Sequence, residues 1–191
     1  TKLLYAVTRD VTELVKNEEA LKMADTFFNM TYDMLTVAKG DHFIKVNPAF
    51  TKNTGYEQKE MDELPFLSFA HPDDSQVYID ALDKLKKGES MVNYRARERS
   101  KDGTYKWLDW SSTLDTQTGL MYAVARDITK LIENEESLKI ADKFFSMAFD
   151  IFTVAKEEHF IKINPAFTKT LGYDEKDLGE INFINLTHPD D

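Results

Sequence analysis

The chain has 191 residues, 42% hydrophobic and 30% charged, with 34 acidic against 24 basic side chains and a formal charge of −10. That composition builds one large core or two small ones and excludes a disordered chain, and its negative surface disfavours nucleic acid and anionic lipid as partners. The lack of cysteine excludes disulfides, thiolate metal sites, iron–sulfur clusters and thiol photochemistry and suits the reducing cytoplasm, while no apolar run reaches the roughly 18–20 residues that span a bilayer.

The predicted elements are read twice, because the chain repeats itself. Tyr5-Ala6-Val7-Thr8-Arg9-Asp10 returns as Tyr122-Ala123-Val124-Ala125-Arg126-Asp127, and Asn47-Pro48-Ala49-Phe50 as Asn164-Pro165-Ala166-Phe167. Gly55-Tyr56 returns at Gly172-Tyr173, and His71-Pro72-Asp73-Asp74 at His188-Pro189-Asp190-Asp191. The offset is 117 throughout, and 43 of the 74 overlapping positions are identical. A period this long is a whole domain rather than a solenoid unit. The expected organisation is the last strand of a preceding unit over 1–11, a linker helix over 12–28, a complete domain over 29–128, a second linker helix over 129–145, and the first half of a further unit over 146–191. The chain is thus expected to be an excerpt of a longer protein. A half unit leaves apolar faces and sheet edges uncovered, so domain swapping of the truncated unit is expected.

The first element in chain order is the helix of residues 12–28, with Thr12 as its cap and Leu14, Leu21 and Phe28 recurring every seven residues. Its copy carries Thr129, Leu131, Leu138 and Phe145. These leucines are the candidate contacts of a dimerising linker, against the alternative of a helix packing on its own domain. Met34–Ala38 and His42–Val46 read as a hairpin around Gly40-Asp41. Asn47-Pro48 has the form of a cap followed by Pro at the first helical position, with Gly55 ending that short helix. Pro72, Asp73 and Asp74 open a longer helix, their acidic groups at the positive end of its dipole, with Tyr78, Ala81, Leu82 and Leu85 at helical spacing and Gly88 as its stop.

Three strands complete the unit. Val92, Tyr94 and Ala96 alternate with Asn93, Arg95 and Arg97; Asp102-Gly103 turns into a strand over Tyr105–Leu114; Thr118-Gly119 turns into Leu120–Ala125. The order predicts an α+β fold, a five-stranded antiparallel sheet with short helices on one face, joined to its neighbours by amphipathic helices. Trp107 and Trp110 lie three apart and face opposite sides of the sheet; spacing alone does not decide which is the inner one. The basic row Arg95, Arg97, Arg99 and Lys101 is read as a solvated face paired with neighbouring acids.

This order resembles the PAS family. The resemblance rests on Asn47-Pro48-Ala49-Phe50 with Gly55-Tyr56, on His71-Pro72-Asp73-Asp74, on Lys101-Asp102-Gly103-Thr104-Tyr105-Lys106-Trp107, and on the closing Arg126-Asp127-Ile128-Thr129, and it covers both remnants. It implies a signal-transduction sensor of a multi-PAS bacterial protein such as a sensor histidine kinase of a two-component system, with an output domain in cis. It also implies a central pocket, for which Asn47, Phe50, Tyr78 and Trp110 are the candidates. At the end of the last strand it implies a junction that passes signals to the outgoing helix: Arg126, Asp127 and Thr129, with Arg9, Asp10 and Thr12 as the earlier copy. The flavin–thiol and thiol-linked chromophore chemistries of such receptors are excluded by the lack of cysteine, and haem is disfavoured because Pro72–Lys87 holds no His; the pocket's ligand is otherwise unassigned. No nucleophile–base set, phosphate loop or metal-spaced cluster points to an enzyme. A homodimer through the linker helices and sheet is expected, sensing a small ligand, or else dimerising and relaying without one.

Overall fold

The computed structural model describes residues 5, 8–178 and 186. Contacts divide the chain into two compact units, Thr1–Lys130 and Leu131–Asp191. Most of the strand expected over 1–11, and the second His-Pro-Asp-Asp at 188–191, lie outside the described residues.

In the first unit, α1 (Thr12–Met30) contains no glycine or proline and buries none of its residues. Its N-cap position is held by Val11, and Asp10 accepts the N–H of Thr12 at 2.9 Å. Thr12 is therefore the first helical residue and not the cap that the sequence suggested. The hairpin β1 (Met34–Lys39) and β2 (His42–Val46) follows, then α2 (Pro48–Thr54) and α3 (Gln58–Met61), two 3₁₀ turns at Phe66–Phe69 and Pro72–Asp74, and α4 (Ser75–Lys86). The strands β3 (Met91–Arg99), β4 (Tyr105–Asp115) and β5 (Leu120–Asp127) close the unit.

The sheet order is β2-β1-β5-β4-β3, with every neighbouring pair antiparallel. Because side chains alternate across a strand, one face carries Met34, Thr36 and Ala38 from β1, Ala96 and Glu98 from β3, Leu108, Trp110 and Ser112 from β4, and Ala123 and Ala125 from β5, all buried. Small residues dominate that list, and Phe43, Phe50, Met61, Phe66 and Phe69 fill the space between it and the short helices. Phe43 sits 5.6 Å from Phe50 and 5.7 Å from Phe66, ring centre to ring centre, in tilted contacts that aromatic quadrupoles favour.

Two local expectations need correction. Asn93 adopts φ 54°, a left-handed conformation that Asn tolerates better than most residues, and the β3–β4 register shifts between Met91 and Tyr94. The bulge breaks the predicted alternation and leaves Val92 exposed, out of step with Tyr94 and Ala96. The helix expected from Pro72 begins three residues later, at Ser75, after the 3₁₀ turn.

The helix α5 (Thr129–Met147) follows β5 across the boundary between the units and likewise buries nothing. Beyond it the second unit contains a two-stranded sheet of β6 (Thr153–Lys156) and β7 (His159–Ile163), then α6 (Pro165–Leu171). Ile163, Asn164 and Phe167 are its buried residues among those described.

Candidate functional site: a small cavity and the junction beside it

A cavity of about 20 Å³ lies between α4 and the inner face of the sheet. On this measure a single water needs roughly 10–15 Å³, so the space is of water size. Phe43, Phe66, Tyr78, Tyr94 and Trp110 supply five aromatic rings to its wall; Ala81, Leu82, Leu85, Met121 and Ala123 complete the apolar part, and Glu98 is the single charged residue. Of the four candidates from sequence, Tyr78 and Trp110 line this cavity. Phe50 lies in the core behind Phe43, and Asn47 is elsewhere.

Glu98 is 5% exposed and accepts a hydrogen bond from the Tyr78 hydroxyl at 2.6 Å. Burial pushes its carboxyl up to about 7, against a partial lowering by the Tyr78 and Trp110 donors. The Trp110 indole N–H is near enough for that influence but has no hydrogen bond of good geometry. Burial also raises the Tyr78 phenol far above its ordinary range, and that of Tyr94 to about 12.

The folded chain holds the Glu98 proton more tightly than the unfolded chain, whose carboxyl titrates near 4.5. The contribution is fully present below pH 4.5 and is lost as pH rises towards 7, by about 3 kcal/mol for a shift of this size. Glu98→Gln is expected to abolish that slope and to be the more stable protein at pH 8, measured by urea unfolding at pH 5 and pH 8. A wild-type stability that rises over that interval would contradict the assignment.

One residue earlier on β3, Arg97 reaches back to Asp74 at the start of α4. Its Nε and Nη2 donate to the Asp74 carboxylate at 2.8 and 2.7 Å, and its backbone N–H donates to the same group at 2.8 Å. Asp74 is thereby held below the usual carboxylate range. Asp74 holds the N-cap position of α4 but makes no side-chain cap bond there. Arg97 also stacks over Trp107, 5.1 Å from the ring centre, so Trp110 is the inner tryptophan and Trp107 the outer one. Together Asp74–Arg97 and Tyr78–Glu98 fasten one face of α4 to β3. The rest of the basic row is partly paired, Lys101 with Glu60 at 2.8 Å and Arg95 with Asp109 at 3.9 Å.

Asn47, fully buried, is a hub for backbone groups. Its side-chain oxygen accepts from Leu35 and Phe50, each at 3.0 Å, and its amide donates to the carbonyls of Phe28 at 3.2 Å and Asp33 at 3.0 Å. One side chain thus joins the end of α1, the entry to β1 and the first turn of α2. In the second unit Asn164 repeats the pattern, accepting from Phe152 and Phe167 and donating to Asp150. Lys45 bonds Asp25 on α1 at 2.9 Å and lies 4.6 Å from the centre of the Phe28 ring; Lys162, Asp142 and Phe145 do the same in the second unit.

The junction residues converge at the end of β5. Arg126 forks onto Asp33, immediately before β1, at 3.1 and 2.8 Å, and the bond lowers the Asp33 pKa. Asp127 is half-buried, which alone would raise its pKa, but bonds from Thr129 and Asn53 and the Lys106 charge at 3.6 Å bring it below the ordinary value. Its carboxylate accepts the Thr129 N–H at 2.9 Å, while the Thr129 hydroxyl accepts the Trp107 N–H at 3.0 Å. Of the earlier copy, Asp10 and Thr12 repeat this bond; Arg9 is exposed. Among the described residues no His, Cys, Asp or Glu cluster could hold a metal, and no helix is long and apolar enough to cross a membrane.

Residues 43–122 match a family described as PAS fold, and residues 149–191 one described as PAS domain. No curated protein matches. Among solved structures the chain is similar to a domain of a sensory box sensor histidine kinase/response regulator from Geobacter sulfurreducens, at 21% identity and TM-score 0.51 over 62% of this chain and 100% of that one. A PAS domain from Colwellia psychrerythraea matches at 19% and 0.53 over 58% of this chain and 98% of its own. The PAS domain of an HTR-like protein from Haloarcula marismortui matches at 20% and 0.54 over 62% and 100%. Identities this low speak for the fold alone.

Proposed function

We propose that this chain, whose complete unit has the PAS fold and so is a sensory and interaction module rather than a catalyst, is a sensor and relay segment of a larger cytoplasmic signalling protein. In this reading residues 29–128 form the complete sensor, residues 12–28 and 129–145 are linker helices, and residues 146–191 begin the next unit. The observation that carries it is the junction: Asp127 and Trp107 take the two polar groups of Thr129, so a shift of β4 against β5 bears directly on the first turn of α5. Arg126 ties the same strand end to Asp33, where α1 hands over to β1.

The helices themselves support a partner. Leu14, Leu21, Met23, Phe27 and Met30 are exposed on α1, and their counterparts Leu131, Leu138, Ile140, Phe144 and Met147 are exposed on α5. Each of these large apolar positions is apolar in both copies, and exposed apolar side chains grouped on a helix mark a contact surface. The reading makes the second copy of the chain their partner, with α1 and α5 pairing across a homodimer. Replacing Leu131 and Leu138 together with Glu is expected to turn a sedimenting dimer into a monomer with unchanged helix content. A dimer that survives the change would reject the linker role.

The small cavity favours a second reading, a dimerising relay without ligand. Native mass spectrometry separates the two: a small molecule lost on denaturation supports the sensor, and a bare chain supports the relay.

A further inference from the structure

We propose that the cavity between α4 and the sheet is a binding site for a small ammonium-type cation, ammonium itself or a short methylated amine, held by Glu98 within the rings of Tyr78, Tyr94 and Trp110. The proposal deepens the sensor reading and rests on it for its biological meaning, though the site can be tested by itself. Glu98 is a buried carboxyl with one neutral donor, Tyr78, on its Oε1. No Lys, Arg or His lines the space. Arg97 and Arg99, which flank Glu98, lie on the other side of β3, Arg97 committed to Asp74 and Arg99 exposed; Lys106, the cross-strand partner of Glu98 on β4, turns its ammonium away to Asn53 and Asp127. Tyr78 from α4 and Tyr94 from β3 are the other titratable groups on the wall; 3₁₀ residue Phe66 and the β2, β4 and β5 residues there carry none.

A buried carboxylate without a countercharge is resolved either by a proton or by a cation. The wall suits the cation, since aromatic faces attract ammonium groups and desolvation strengthens the attraction. The same wall excludes anionic ligands: a carboxylate or phosphate would meet Glu98 and find no base. Size narrows the class further, because about 20 Å³ admits a water-sized ion, and larger amines only as Leu82 and Tyr78 move with α4. Cation and proton compete for one group, which titrates near 7. Ionised Glu98 falls from about nine-tenths at pH 8 to a few per cent at pH 5.5, so apparent affinity drops about thirtyfold between them.

The test uses the whole chain carrying Trp107→Phe, so that Trp110 is the sole indole. Methylammonium chloride is titrated against sodium chloride at equal ionic strength, at pH 8 and pH 5.5, by Trp110 fluorescence and by thermal shift. Saturable binding at pH 8, at least tenfold weaker at pH 5.5 and lost in Glu98→Gln, is expected. No saturable response with ammonium or methylammonium, or a response undiminished in Glu98→Gln, overturns the proposal. Sedimentation of the same samples keeps the two ideas apart. Binding without any dimer leaves the site standing and removes the relay; a dimer broken by the Leu131 and Leu138 changes, with no amine response, does the reverse.

Discussion

Asn47→Ala is expected to destabilise the complete unit by about 3–4 kcal/mol, more than a lost helix cap accounts for, because capping is only one of four bonds the side chain makes. Truncation strands the N–H of Leu35 and the carbonyls of Phe28 and Asp33 around a site that is 0% exposed, and leaves the Phe50 N–H only its bond to the Asn47 backbone carbonyl. Asn47→Asp is the informative control: it keeps the two accepted bonds, turns the two donated ones into repulsions, and buries a charge. It should be no better than Ala at pH 7 and should recover as the carboxyl is protonated. Amide exchange should show the opening first at Phe28–Asp33, where α1 meets β1. Urea unfolding decides the matter: a loss under about 1 kcal/mol for Asn47→Ala would mean that the hub is ornamental.

Arg97→Ala is expected to destabilise the unit, since it leaves the largely buried Asp74 with only a backbone N–H for its charge. Asp74 has a depressed pKa in the native chain, so its pairing stabilises the fold above the ordinary carboxylate value of 3.8 and fades as pH falls below it. The deficit of Arg97→Ala should therefore shrink at pH 3. Arg97→Lys restores charge but neither the fork onto Asp74 nor the planar stack on Trp107, and should recover about half of the loss. A double cycle with Asp74→Asn gives the coupling; a value near zero would show that the two act independently.

What the sequence made legible was whatever is decided locally. The Asn47-Pro48 cap, the left-handed stop at Gly55 (φ 81°) and the hairpin over Gly40 depend on a few adjacent residues, and all stand as read. The sheet follows from alternation, except where Asn93 bulges out of it. The misses are pairings over long separations. Asp74 was legible as an acidic helix-start residue, but its partner is 23 positions away on a strand. Asn47 was legible as a cap, while its bonds to Phe28 and Asp33 reach back 19 and 14 positions. Glu98 left a usable signal: if Arg95, Arg97 and Arg99 face out, then Tyr94, Ala96 and Glu98 face in, and a carboxylate on an apolar face calls for a reason. That reason, Tyr78 across the cavity, needs the fold.

The pairing of β1 with β5 has a consequence for how such a chain comes off the ribosome. β1 must wait for a strand made much later, while a near twin of that strand, Tyr5–Asp10, has already been synthesised just upstream. The two segments differ at one position: Thr8 stands where β5 has Ala125. Ala125 is 1% exposed and lies opposite Met34 on β1 and Trp110 on β4. A threonine there adds two heavy atoms to a filled core and brings in a hydroxyl with no partner, a penalty on the order of 1–3 kcal/mol. A single residue would thus bias β1 towards β5 and against the upstream segment that resembles it, a discrimination made by the volume and polarity of one core side chain.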